Sequence, residues 1–139
     1  MFVIKRTLDI FNTDEIYFTH SHDEIVAVFD KDQLGRVVTN LVKNALQATE
    51  NEPFPAIEVM LIKTEKDIIL TVKDNGIGIA DADKEKIFEP KFTTKTSGSG
   101  LGLAIVKNIV LSYNGNISFT SEVEKGSEFT VTLVHFLNK

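Results

Sequence analysis

Apolar residues at Leu34, Val37, Val38, Leu41, Val42, Ala45 and Leu46 recur at intervals of three and four, which lays one wide apolar face along a helix over residues 30–49. Asp30 is a good N-cap, and Gln33 three places on completes a capping box. The helix should stop near Thr49, ahead of Pro53 and Pro55. A shorter helical pattern, Ile4, Leu8 and Phe11, covers residues 2–12 and starts abruptly with the chain, as a truncated first helix would. Period-two alternation predicts strands over 15–20 and 25–29, separated by the turn-like Ser21-His22-Asp23-Glu24. Two more strands, 57–62 and 68–73, flank a charged turn, and Asp74-Asn75-Gly76 breaks the second. Residues 80–100 are irregular, with one helical turn near 84–88, and a loop that long is usually functional. A helix over 103–111 follows, with Gly115 just past its end. A hairpin of 116–121 and 128–136, turned near Gly126, completes the chain. This order predicts an α+β fold: a two-layer sandwich with one mostly antiparallel, mixed sheet and helices on one face.

Composition narrows the function. The 139 residues suit a single domain, 1–139, with one core. Ten Phe and no Trp point to a Phe-rich interior. The absence of cysteine excludes disulfides, thiolate metal sites and cysteine nucleophiles, and is compatible with a cytoplasmic setting. A net charge of −5 without a basic run argues against nucleic-acid binding. No apolar stretch approaches the roughly 20 residues of a membrane span, and Phe2 to Ile4 is too short for a signal peptide.

Three segments carry candidate chemistry. Asn40 and Asn44 lie one turn apart on one face of the strong helix, where an amide oxygen can ligate a hard cation such as Mg²⁺; two surface or capping amides would read the same way. Asp74-Asn75-Gly76-Ile77-Gly78-Ile79 sits at a strand end. Its carboxylate can accept a hydrogen bond from an amine, and its glycines let the backbone take positive φ and let a ligand come close; an ordinary turn fits the same residues. Gly98-Ser99-Gly100-Leu101-Gly102-Leu103 leads into a helix, whose free N–H groups and positive dipole end suit phosphate; a flexible hinge is the alternative. It lacks the Gly-Lys-Ser/Thr ending of a Walker A loop, and no strand precedes it as a dinucleotide fingerprint requires.

In this order, the three segments resemble the GHKL superfamily of ATPases, and within it the catalytic, ATP-binding domain of sensor histidine kinases. Residues 40–44 resemble the family's N box, 74–78 its first glycine box, Phe88-Glu89-Pro90-Lys91-Phe92 its F box and 98–103 its second glycine box. The similarity covers roughly residues 15–136. It implies the family's sandwich fold, with ATP held under a mobile lid at about 80–100.

Residue by residue, the resemblance implies that Asp74 accepts a hydrogen bond from the adenine amine. Guanine offers a carbonyl there, and two facing acceptors would cost about 1–3 kcal/mol. Gly76, Gly78 and Ile79 would lie against the base. Asn44 would ligate Mg²⁺. Gly98, Ser99, Gly100, Leu101, Gly102 and Leu103 would line the triphosphate. Lys95 would reach the γ-phosphate as a point charge. Phe88 and Phe92 would anchor the lid, and Thr130 would sit near the adenine. Several ATP-hydrolysing relatives carry Glu where this chain has Asn40. A neutral amide cannot take a proton from water, so the site should position phosphates for an external nucleophile.

The implied activity is therefore γ-phosphoryl transfer from Mg-ATP, leaving ADP, to a histidine on a separate dimerisation domain. The chain would not autophosphorylate unaided. A response regulator would be an indirect partner, the fragment would be monomeric, and the parent kinase could be anchored in the inner membrane. Among the three histidines, His22 precedes a strand-like run rather than standing on a long helix, and His135 alternates within the last strand, so neither suits the phosphoacceptor. Gln47 and Ala48 replace a common basic–aromatic pair, and Lys91 a common aromatic. The run from Asn44 to Thr49 resembles the nitrogen-regulation type of kinase. Two other readings remain open: a stand-alone anti-sigma-factor-type serine kinase, against which Asn40 speaks, and a degenerate nucleotide-binding module.

Overall fold

A computed structural model describes residues 16–20, 31–64, 67–90 and 102–134. The expected helix over 2–12, the strand over 25–29, Asp30, His22 and His135 lie outside the described residues. The strong amphipathic pattern forms α1 (Lys31–Ala48), and the later one forms α2 (Gly102–Ser112). The strands are β1 (Ile16–His20), β2 (Ile57–Lys63), β3 (Asp67–Asp74), β4 (Asn116–Glu122) and β5 (Gly126–Val134). They make one sheet in the order β1-β2-β3-β5-β4. Every pairing is antiparallel except β1 with β2, where Ile16 lies opposite Ile57. A parallel neighbour cannot be reached through a hairpin, and α1 stands in the crossover.

The period-two pattern decides which face is covered. Ile57, Val59 and Leu61 of β2, Ile68, Leu70 and Val72 of β3, and Phe129, Val131 and Leu133 of β5 are all buried. They meet Leu34, Val37, Val38, Leu41, Val42 and Ala45 of α1, and Val106, Ile109 and Val110 of α2, in one core. Both helices pack on the sheet and on each other. The other phase is mixed: Glu58 and Lys73 are exposed, and Thr71, Thr130 and Thr132 are half-buried alongside Met60, Ile62 and Ile69. Among the described residues no helix is long and apolar enough to cross a membrane.

The helix ends were placed correctly by sequence but for partly different reasons. Beyond α2 the left-handed residue is Asn114, at φ 59°, not Gly115. Its N–H donates to Leu111 O and that of Gly115 to Val110 O, the paired bonds of a Schellman motif. Gly115 is needed because a Cβ there would lie 2.4 Å from Thr132 O. At the end of α1, the Thr49 hydroxyl donates back to Ala45 O at 2.9 Å. The orphan carbonyl of Ala48 accepts the Ile77 N–H at 3.1 Å, so the helix terminus is tied to the segment leaving β3.

Candidate nucleotide site

Strand β3 runs out of the core at Asp74, which stays in the buried phase and is only 4% exposed. A carboxylate in that position needs partners. One is local: Oδ1 accepts the Gly76 N–H at 2.9 Å. Asn75 holds the neighbouring loop, its Oδ1 accepting from Ala56 N–H and its Nδ2 donating to Phe54 O, both at 2.9 Å. Directly across the ladder from Asp74 stands Ser127, 7% exposed. Cross-strand partners share a face, so the carboxylate and this hydroxyl are neighbours on the helix side of the sheet.

Thr130 does not join them. It follows Phe129 and precedes Val131, both core residues, so its side chain emerges on the opposite face from Asp74. Thr130 was expected near the adenine, but the β5 hydroxyl on the Asp74 side of the sheet is that of Ser127, which the sequence analysis did not single out. A signal was there: Ser127 is the polar residue in phase with Phe129, Val131 and Leu133.

Of the two roles expected for the glycines after Asp74, positive φ is found at Gly78, and both glycines also lie tight against protein backbone. A Cβ on Gly76 would lie 2.3 Å from Ala48 O, and one on Gly78, at φ 74°, would lie 2.2 Å from Glu122 O. Between them, Ile77 donates its N–H to Ala48 O and accepts the Glu124 N–H at 2.7 Å. The segment is thus threaded between the end of α1 and the β4–β5 turn, and protein backbone alone requires both glycines.

On α1, Asn40 and Asn44 are half-buried on successive turns. Asn40 Nδ2 donates to Arg36 O at 2.9 Å, which leaves Oδ1 as the atom presented outward. That oxygen would be 3.1 Å from a Cβ on Gly102, the first residue of α2. Asn40 and the glycine-initiated helix terminus, distant in sequence, therefore meet. Leu103 is half-buried against the core. We expect Gly102→Ala to melt within about 1 kcal/mol of the wild type, since Ala favours a helix by up to about that amount. Its nucleotide affinity should fall several-fold as Asn40 is displaced, a split that thermal melts with and without nucleotide would resolve.

The first half of the expected lid is built onto the sheet. A 3-10 turn covers Asp81–Asp83, and hydrogen-bonded turns continue it through the anticipated 84–88. Lys84 Nζ donates to Ser121 O at 2.8 Å and pairs with Asp81 at 3.0 Å. Ile87 is buried, and the Phe88 ring meets Phe119 and Phe129 edge-on, at 5.9 and 6.5 Å between centroids. The Lys107 ammonium lies 5.2 Å from the Phe88 centroid. Phe92, Lys95, Gly98, Ser99, Gly100 and Leu101 lie outside the described residues.

Among the described residues no cluster of three His, Cys, Asp or Glu could hold a metal by itself. Amide oxygens on α1 fit a hard cation that arrives with phosphate oxygens and water as its other ligands.

Comparison with known proteins shows the family and the fold. The family model described as histidine kinase-, DNA gyrase B- and HSP90-like ATPase matches residues 29–135. The sensor histidine kinase ZraS of Salmonella typhimurium is 42% identical over 104 residues, which are 75% of this chain and 22% of that protein. Sporulation kinase D of Bacillus subtilis is 40% identical over 103 residues, 74% of this chain and 20% of that protein. The chain thus spans about a fifth of the length of these curated relatives. Among solved structures, the catalytic domain of histidine kinase ThkA superposes with a TM-score of 0.84 at 28% identity, covering 96% of this chain and 90% of that one. The mycobacterial sensor histidine kinase MprB gives 0.81 at 28% identity, covering 96% and 93%.

Proposed function

We propose, for a chain that belongs to the histidine kinase-, DNA gyrase B- and HSP90-like ATPase family, that it binds Mg-ATP and positions the γ-phosphate for transfer to a histidine on a separate dimerisation domain. The observation that carries this reading is the buried Asp74 carboxylate beside Ser127 at one end of the site, with Asn40 against the start of α2 at the other. The carboxylate selects the adenine amine, and Ser127 takes the place first given to Thr130. Asn44 would hold Mg²⁺, whose charge would offset that of the phosphate oxygens when bound. Ser99, Gly100, Leu101 and Gly102 surround the triphosphate, and Lys95 meets the γ-phosphate. The incoming imidazole nitrogen forms the N–P bond as the bond from the γ-phosphorus to the bridging oxygen breaks, and ADP departs with that electron pair.

Asn40 supports transfer over hydrolysis. Its Nδ2 is committed to Arg36 O, and its oxygen cannot deprotonate water at neutral pH. The names of the relatives favour histidine over serine as acceptor. A response regulator would then receive the phosphoryl group in the full-length protein.

Calorimetric titration with a non-hydrolysable ATP analogue and with GTP, each with and without Mg²⁺, tests the proposal. Mg²⁺-sensitive, adenine-selective binding is the expected result. A folded sample that binds neither nucleotide would overturn it. Incubation with Mg-ATP and an isolated phosphoacceptor domain should then give an acid-labile phosphoprotein; an acid-stable one would point to serine.

A further inference from the structure

The Ser121 hydroxyl has three partners. It accepts the Ile79 N–H at 2.8 Å, lies 3.1 Å from Gly126 O, and lies 2.8 Å from the Ser127 hydroxyl. A hydroxyl has one proton and two lone pairs. All three contacts are hydrogen bonds only if Ser121 donates to Gly126 O and accepts from both Ile79 N–H and Ser127 O–H. Ser127 has then given up its proton, and what it offers beside Asp74 is lone pairs. Asp74, as a carboxylate, also offers lone pairs only.

We propose that Ser121 is a positioning residue for base selection: by taking the Ser127 proton it makes the Asp74–Ser127 edge accept hydrogen bonds at both groups. Such an edge matches an exocyclic amine, which carries two N–H donors, and repels a carbonyl at that place. Ser121 itself belongs to β4 and, among the described residues, reaches the site through Ser127 and Ile79. The sequence conceals this, because Ser121 reads as the last residue of one strand and Ser127 as part of the turn that follows it, with nothing to show that they face each other. The inference rests on the adenine reading above.

The test compares ATP with inosine triphosphate, which has a carbonyl in place of the amine, by calorimetry on the whole chain. In Ser121→Ala the Ser127 proton is released and can turn toward the ligand. ATP affinity should fall and inosine triphosphate affinity should hold or rise, reducing the ATP preference about tenfold. Ser127→Ala should reduce it similarly, the double variant no further than either single one, and Ser121→Thr should restore it. A general loosening of the hairpin would weaken both nucleotides alike and leave the ratio where it was. A wild-type ratio in Ser121→Ala, or losses that multiply in the double variant, would overturn the proposal. Should Ser121→Ala fail to fold, Ser121→Cys, a weaker donor and acceptor, carries the same comparison. Asp74→Asn separates the two levels. If it keeps the ATP preference, the adenine reading fails; if it loses the preference while Ser121→Ala does not, only the role of Ser121 fails.

Discussion

Asp74→Asn is expected to leave the chain folded and to weaken ATP binding about a hundredfold. Oδ1 already accepts the Gly76 N–H at 2.9 Å, and an amide oxygen can keep that bond. The second position then becomes an NH₂ group, a donor facing the donors of the adenine amine. A hydrogen bond to a charged acceptor, about 1.5–3 kcal/mol, is lost, and a buried donor is left unmatched. A total near 3 kcal/mol corresponds to about a hundredfold in affinity. Folding stability should move much less, because burying a neutral amide costs less than burying a carboxylate. Calorimetry alongside a thermal melt checks both halves. Unchanged affinity would remove Asp74 from the base site, and a melted protein would make its role structural.

The parts of the fold that the sequence revealed are those with a local cause. α1 carries a long three-and-four apolar spacing, and β2 and β3 alternate cleanly around a charged turn, so their bounds came within a residue or two. What stayed hidden is set by pairing between distant segments. Nothing in residues 16–20 says that β1 lies parallel to β2, or that β5 separates β3 from β4. Thr130 and Ser127 are both strand hydroxyls, and only the ladder register puts Ser127 opposite Asp74. Gly115, read as a helix-stop glycine, is required instead by its close approach to Thr132 O, again a cross-element contact.

The candidate site shows the same division. Its residue types could be chosen from sequence because a buried carboxylate, an amide pair and a glycine-led helix terminus each have few chemical uses. Their mutual placement depends on two junctions of backbone: Asn40 against Gly102, and the 76–78 segment between α1 and the β4–β5 turn. The second junction explains how Asp74 is held at the edge of the core. Its chain neighbours are fastened to a helix end on one side and a hairpin on the other, while Asn75 clamps the loop before β2.

Gly76→Ala tests that junction. If the glycine were there to admit the base, the alanine variant would melt like the wild type and lose only affinity. The obstacle in the structure is instead the Ala48 carbonyl, with oxygen and carbon 2.3 and 2.5 Å from the added Cβ. A backbone carbonyl at a helix end cannot rotate aside as a flexible side chain can, so the two segments must part. The Ile77 N–H bond to Ala48 O then breaks, leaving a donor and an orphan helix carbonyl without each other. Together with the displaced packing at buried Ala48, we expect a loss of about 3 kcal/mol. In a domain of this size that lowers Tm by about 10 °C. ATP affinity should fall as well, but saturating nucleotide should recover part of the lost Tm, because any ligand that binds only the folded state stabilises it. A variant with wild-type Tm and no ATP binding would show that the space beside Gly76 serves the ligand after all.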